Sequence, residues 1–261
     1  MRKTVWSMIA LAALMASNPL VAKSAKASKS SAKAAVKATA EPAFDEALLK
    51  PALLSEEAPA VFRAKFETTR GIFIIRVTRA WAPLGADRFY NLVKHGFYNG
   101  TSFFRVLPNF VAQWGISPRP EVTSAWTNAV LKDDMPTQSN QRGRVTFATA
   151  GPDTRTTQLF INLANNARLD AHGFAPFGEV EAPGLPAVDA FFSGYGEGAP
   201  NGMGPDQEEI EKRGRAYLDE YFSMLDRVKR ASLIPLNVPA DAKHRRQASP
   251  RPPRQPRRGT R

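Results

Sequence analysis

The chain has 261 residues, 43% of them hydrophobic, enough to bury a core as one domain with tails or as two small domains. Its formal charge is +12, yet residues 1–40 hold seven basic side chains and no acid, and Lys243 with seven arginines fills 243–261. With those 15 of the 36 basic residues set aside, 21 face 24 acids, so the body carries about −3; a nucleic-acid-binding fold would instead show a basic face on the domain itself.

Arg2 and Lys3 precede the apolar run Thr4 to Ala16, which Ser17-Asn18-Pro19 interrupts before small residues at Ala22, Ser24, Ala25 and Ala27. This is the pattern of an export signal over 1–24, and the apolar run is too short to span a bilayer. The absence of cysteine excludes a lipoprotein attachment site, a disulfide, a thiol nucleophile and a cysteine metal site. Residues 25–42, rich in Ala, Lys and Ser, read as a solvated linker.

A domain is expected over 43–235. Leu48, Leu49, Leu53 and Leu54 suggest a short helical or irregular segment lying against it. Phe62, Ala64 and Phe66 alternate with charged residues, and after Gly71 the run Ile72 to Val77 completes a hairpin. Pro83 opens a helix whose Phe89, Leu92 and Val93 make one apolar stripe, and Gly96 stands where a helix-terminating residue belongs. Asn99-Gly100 turns the chain into the stretch Phe103 to Gln113.

Apolar residues dominate that stretch, yet a cation at Arg105 and an amide at Gln113 sit among them. As a β run it places Arg105, Leu107 and the following odd positions on one face, so two long polar side chains point the same way. A guanidinium carries five donors and stays charged, and setting it among apolar neighbours is costly unless it binds something. A ligand carbonyl or amide would serve, and so would a carboxylate beside the sheet.

Gly115 to Arg144, punctuated by Pro118, Pro120 and Pro136, reads as irregular. Strands are expected at Val145 to Ala150, Thr157 to Asn162 and Phe174 to Val180, then a second helical stripe at Ala187, Val188, Phe191 and Phe192 before the glycine-rich 193–204. Pro205 opens a C-terminal helix striped by Ile210, Tyr217, Leu218, Tyr221, Leu225 and Val228 and weakened at Gly214, with Ala231 to Ile234 as a last strand. Residues 236–261 form a basic Pro/Arg-rich tail that builds no core; a solvated tail or weak association with anionic surfaces follows. Many short strands and few helices imply a mainly β, closed antiparallel barrel. His95, His172 and His244 have no metal or triad partner at useful spacing, and Ser102 and Ser193 lack a nucleophile-elbow context, so hydrolase chemistry has little support.

The runs Phe103 to Gln113, Phe147 to Pro152, Thr157 to Asn162 and Phe177 to Val180 resemble, in order and near-family spacing, the signatures of the cyclophilin-type peptidyl-prolyl cis-trans isomerases. The likeness covers about residues 60 to 192, and 193–235 looks like the extension of a bacterial exported subgroup. The resemblance implies an eight-stranded antiparallel barrel capped by two helices, here with an additional C-terminal helix. It also implies catalysis of X-Pro rotation without cofactor or metal, on proline-containing polypeptides, by a monomer that binds no nucleic acid. A cyclophilin-like binding module or chaperone with little turnover is the alternative. By resemblance Arg105 donates to the substrate proline. Phe110, Val111, Phe160 and Leu169 would hold its ring, with Phe174 beside them. Gln113 would bind a substrate carbonyl, Ala148 and the Thr149 backbone would hold the preceding residue, and Gln158 would support the site. Departures are Arg168 where many members carry Trp, Phe174 for a common His, Val111 for Met and Asn109 for Gly. The first of these implies weak binding of cyclosporin, the cyclic peptide inhibitor of many members.

Overall fold

The computed structural model describes residues 44–235. The expected export signal, linker and basic tail, with His244, lie outside the described residues. Eight strands are present: β1 (Val61–Thr68), β2 (Gly71–Thr78), β3 (Arg105–Leu107), β4 (Val111–Trp114), β5 (Arg144–Phe147), β6 (Leu159–Asn162), β7 (Pro176–Val180) and β8 (Val228–Ile234). They form one antiparallel curled sheet in the order β3-β4-β6-β5-β7-β2-β1-β8. The alternation expected for the first hairpin is borne out, with Phe62, Ala64 and Phe66 of β1 and Phe73, Ile75 and Val77 of β2 all buried. Phe66 and Phe73 face each other across the pair with rings 5.0 Å apart.

The expected closed barrel needs correction. β3 and β8, the edges of the sheet, are not laddered to each other, because β3 is only three residues long and starts beyond the reach of β8. The chain before β3 stitches the seam instead. Gly100 N–H donates to the Val228 carbonyl at 2.8 Å, Val228 N–H to the Thr101 carbonyl at 2.9 Å and Phe103 N–H to the Asp226 carbonyl at 2.9 Å.

Helix α1 (Pro83–Lys94) buries Ala86, Phe89, Leu92 and Val93, and Phe89 meets Phe177 at 4.9 Å. Ala82 before it has no capping side chain, so a distant carboxylate takes the role: Asp134 accepts from the Leu84 and Gly85 amides at 3.0 and 2.8 Å. Asp134 in turn pairs with the buried Arg155 at 3.1 Å.

The stretch expected to be irregular contains helix α2 (Pro120–Trp126), started by a proline at its first position with Glu121 in the first turn. Its Val122 and Trp126, four residues apart, are buried, and Trp126 Nε1 donates to the Leu48 carbonyl at 2.8 Å, pinning the N-terminal segment. The second striped helix is only the five-residue α3 (Leu185–Asp189); Phe191 after it stacks on Phe103 at 3.9 Å.

The single C-terminal helix is also corrected, to α4 (Gln207–Arg213) and α5 (Arg215–Tyr221). Between them Gly214 has φ 57°, and a Cβ there would lie 2.2 Å from the Pro118 carbonyl, so the break is dictated by a close backbone approach that a side chain forbids. Ile210, Leu218 and Leu225 from this extension pack with Phe104 and Ile116 in a second apolar cluster.

Candidate active site

The stretch Phe103 to Gln113 is not one strand but a hairpin, β3 and β4 joined by Pro108-Asn109-Phe110, with Asn109 in the left-handed region at φ 61°. Leu107 pairs with Val111 and Arg105 with Gln113. Because three residues make the turn, residue parity survives it, and 105, 107, 111 and 113 share a face as the alternation predicts. Val106, Ala112, Trp114, Leu159, Ile161 and Val145 line the opposite, inner face and belong to the main core.

On the outer face the pairing continues from Gln113 to Phe160 of β6, giving the row Arg105, Gln113, Phe160 across three strands. Val111, Phe160 and Leu169 form a separate apolar cluster, against which Phe110, Ala148 and Phe174 pack. The Phe160 and Phe174 rings meet edge to face at 5.6 Å. All six apolar residues expected at the site are therefore brought together, outside the barrel core. The face of Phe110 carries two cations, with Arg105 Cζ at 5.6 Å and Arg168 Cζ at 4.8 Å from its centroid.

The Arg105 side chain is 19% exposed. Its Nη1 donates to Gln113 Oε1 at 3.2 Å, and Gln113 Nε2 donates to Gln158 Oε1 at 2.9 Å, so the two amides form a relay holding the guanidinium's corner. Its Nε and Nη2 donate to Glu197 Oε1 and Oε2 at 2.5 and 2.8 Å. The carboxylate partner that the stretch left open is thus present, together with the groove. Burial works to raise the Glu197 pKa, but the hydrogen bond and charge of Arg105 and the Gly198 amide outweigh it and hold the carboxyl below its usual range. The Thr149 hydroxyl is engaged with the Gly151 carbonyl and with Thr154.

Behind the groove lies a polar network that the sequence reading missed. Asn166 Nδ2 donates to the Phe110 carbonyl at 2.9 Å and to Asn162 Oδ1 at 2.9 Å. Asn140 Nδ2 donates to Asp170 and to the Phe174 carbonyl, each at 2.8 Å, while its own Oδ1 accepts from Thr146 and Asn162. Asn140, Asn162 and Asn166 are at most 1% exposed. They fix the backbones of Phe110 and Phe174, two walls of the groove. An amide close to several backbone carbonyls is a signal only when the fold is known; Glu197 likewise had no signal beyond its glycine-rich setting.

The outer face of the curled antiparallel sheet thus sets an apolar cluster beside a held guanidinium and two amides. The family profile described as cyclophilin type peptidyl-prolyl cis-trans isomerase/CLD matches residues 63–203. A peptidyl-prolyl cis-trans isomerase of Acinetobacter baylyi is 37% identical over 143 residues, 52% of this chain and 75% of that one. Peptidyl-prolyl cis-trans isomerase A of Dickeya dadantii is 39% identical over 105 residues, 38% of this chain and 55% of that one. A solved Cryptosporidium parvum cyclophilin type isomerase aligns at 16% identity with a TM-score of 0.49, over 67% of this chain and 98% of that one. The chain belongs to the cyclophilin-type peptidyl-prolyl cis-trans isomerase family, and it is an enzyme of X-Pro bond rotation.

Proposed function

We propose that Arg105 is the catalytic group of this isomerase and that the Val111, Phe160, Leu169 cluster, walled by Phe110, Ala148 and Phe174, seats the substrate proline. The observation that carries this reading is the row Arg105, Gln113, Phe160, which sets a cation beside an apolar cluster on one face of three strands. A peptide bond resists rotation by about 18–20 kcal/mol because the nitrogen lone pair is shared with the carbonyl. A donor aimed at the proline nitrogen localises that pair, stabilising the twisted state without proton transfer or a covalent step. Arg105 has five N–H donors, of which three are committed to Glu197 and Gln113, so two remain to donate. A fixed ring and a dry wall add positioning and a lower local dielectric. Gln113 binds a substrate carbonyl, the Thr149 backbone holds the residue before proline, and Gln158 supports Gln113.

The Arg105→Ala variant tests it. Its exchange rate on a short X-Pro peptide should fall at least about 100-fold, the scale of losing one oriented electrostatic donor, with near-native thermal unfolding. Full activity in a folded Arg105→Ala protein would refute the assignment.

The clients are proteins exported with this chain, a reading supported by the signal pattern of residues 1–24. N-terminal sequencing of the protein from fractionated cells should find a mature start between about Lys23 and Ser28; an intact Met1 would contradict it.

A further inference from the structure

We propose that Glu197, delivered by the C-terminal extension, is a positioning residue for Arg105 in catalysis; the proposal rests on the reading of Arg105 as the catalytic group. The carboxylate grips the guanidinium side-on, through Nε and Nη2, while Gln113 takes Nη1. A paired fork fixes the guanidinium plane as well as its place. It also leaves one N–H on each terminal nitrogen uncommitted, so both can still donate. A carboxylate serving as a plug would take both terminal nitrogens.

The loop around Glu197 is built to present it. Gly204 N–H donates to the Glu197 carbonyl at 2.8 Å, and Gly198 N–H donates to its Oε1 at 2.9 Å. A Cβ at Gly202 or Gly204 would fall 2.4 or 2.7 Å from that carbonyl, so only glycine allows the clasp. Two residues upstream, the Tyr195 ring lies 5.1 Å from Phe192 and 5.0 Å from Phe222. Downstream, the Asp206 amide that opens α4 donates to the Tyr217 hydroxyl at 3.2 Å. Tyr195 and Phe104, the neighbour of Arg105, share the second apolar cluster. Both partners of the fork are therefore anchored in one packed unit, and the extension acts as a strut.

A free arginine side chain samples many rotamers. The fork removes that freedom before substrate arrives, so the donors need no reorganisation as the amide twists.

The experiment measures kcat and KM by NMR exchange on an X-Pro peptide for the full chain and for Glu197→Ala, Glu197→Gln, Arg105→Ala and the Glu197→Ala/Arg105→Ala double variant. Glu197→Ala should lower kcat about 10-fold, within the range that small misplacement of a reacting group costs, with KM little changed. Glu197→Gln, which keeps the length and one acceptor, should recover part of the loss. In the Arg105→Ala background Glu197→Ala should add nothing, because its effect passes through the guanidinium. The Arg105 Nε–H resonance, slow to exchange in the wild type, should become fast in Glu197→Ala. A wild-type or raised kcat in Glu197→Ala while Arg105→Ala is impaired would overturn the proposal, as would an additive loss in the double variant. Full activity in Arg105→Ala would instead overturn the underlying site assignment. If Glu197→Ala does not fold, Glu197→Gln decides by the same kcat and resonance criteria.

Discussion

Replacing Asp134 by alanine should destabilise the domain by about 4 kcal/mol, and the structure shows where that comes from. Asp134 is 7% exposed and does two things at once: it accepts from the first two free amides of α1 and it pairs with Arg155. The side chain of Arg155 is 5% exposed. Its Nε lies 3.0 Å from Asp133 Oδ1, close enough to count as an ion pair but not aligned as a hydrogen bond. Breaking a buried pair by removing one partner costs about 3–5 kcal/mol. Asp133 still offsets part of the stranded charge, which places that contribution near the lower end. Losing a carboxylate cap adds about 1 kcal/mol. For a domain of this size each kcal/mol moves the midpoint by about 2–4 °C, so the fall should be about 8–16 °C. Asp134→Asn keeps the volume and one acceptor and should lose less. Thermal unfolding followed by circular dichroism measures both. A fall under about 4 °C for Asp134→Ala would mean that Asp133 alone neutralises Arg155 and that water caps α1, and the argument would fail.

Two further outcomes follow from the walls of the groove. Arg168 sits over the Phe110 ring, where a charged, flexible side chain must be ordered and partly desolvated against an apolar ligand; wild type should bind cyclosporin weakly, and Arg168→Trp should tighten it more than it changes peptide turnover. Tight inhibition of the wild type in a titration would contradict this. Burial works to raise the Asp170 pKa, but hydrogen bonds from Ser139 and Asn140 outweigh it and leave the group lowered. Its stabilising contribution is therefore complete above the unfolded value near 3.9 and lost as pH falls through the lower folded value. Asp170→Asn should be less stable at neutral pH, with the gap closing below about pH 4; a gap independent of pH in denaturant titrations would exclude the linkage.

The parts of the fold that were legible are those whose signal is local and periodic. β1 and β2 announced themselves by alternation, and α1 by a stripe with proline before it and glycine after it. The groove was legible through a coincidence of parity: Arg105 and Gln113 share a face whether 103–113 is one strand or a three-residue-turn hairpin. Helix α2 escaped because prolines flank it, although one of them, Pro120, is what starts it. The break at Gly214 depends on the Pro118 carbonyl, and the Asp134 cap on an amide 50 residues away. Glu197 reaches Arg105 across 92 residues. No window of sequence contains both ends of such contacts.

One rule in these strands does connect pattern to site. Every residue of β4 and β6 is buried, and β5 is buried beyond its first residue, because the core covers the inner face and the groove cluster covers much of the outer. Strands buried on both faces read as continuous apolar runs, so a polar residue within one must be satisfied by something specific. Their buried polar residues are Gln113, Asn162 and Thr146. All three stand on the outer face, in the pairs Gln113–Phe160, Val111–Asn162 and Thr146–Phe160. Gln113 holds Arg105, while Asn162 and Thr146 hold the amides that fix Phe110 and Phe174. The interruptions of the apolar pattern thus mark the groove's supports as well as its polar edge. The cation is explained by the same reasoning: Arg105 is tolerated beside the cluster because Gln113 and Glu197 satisfy three of its five donors.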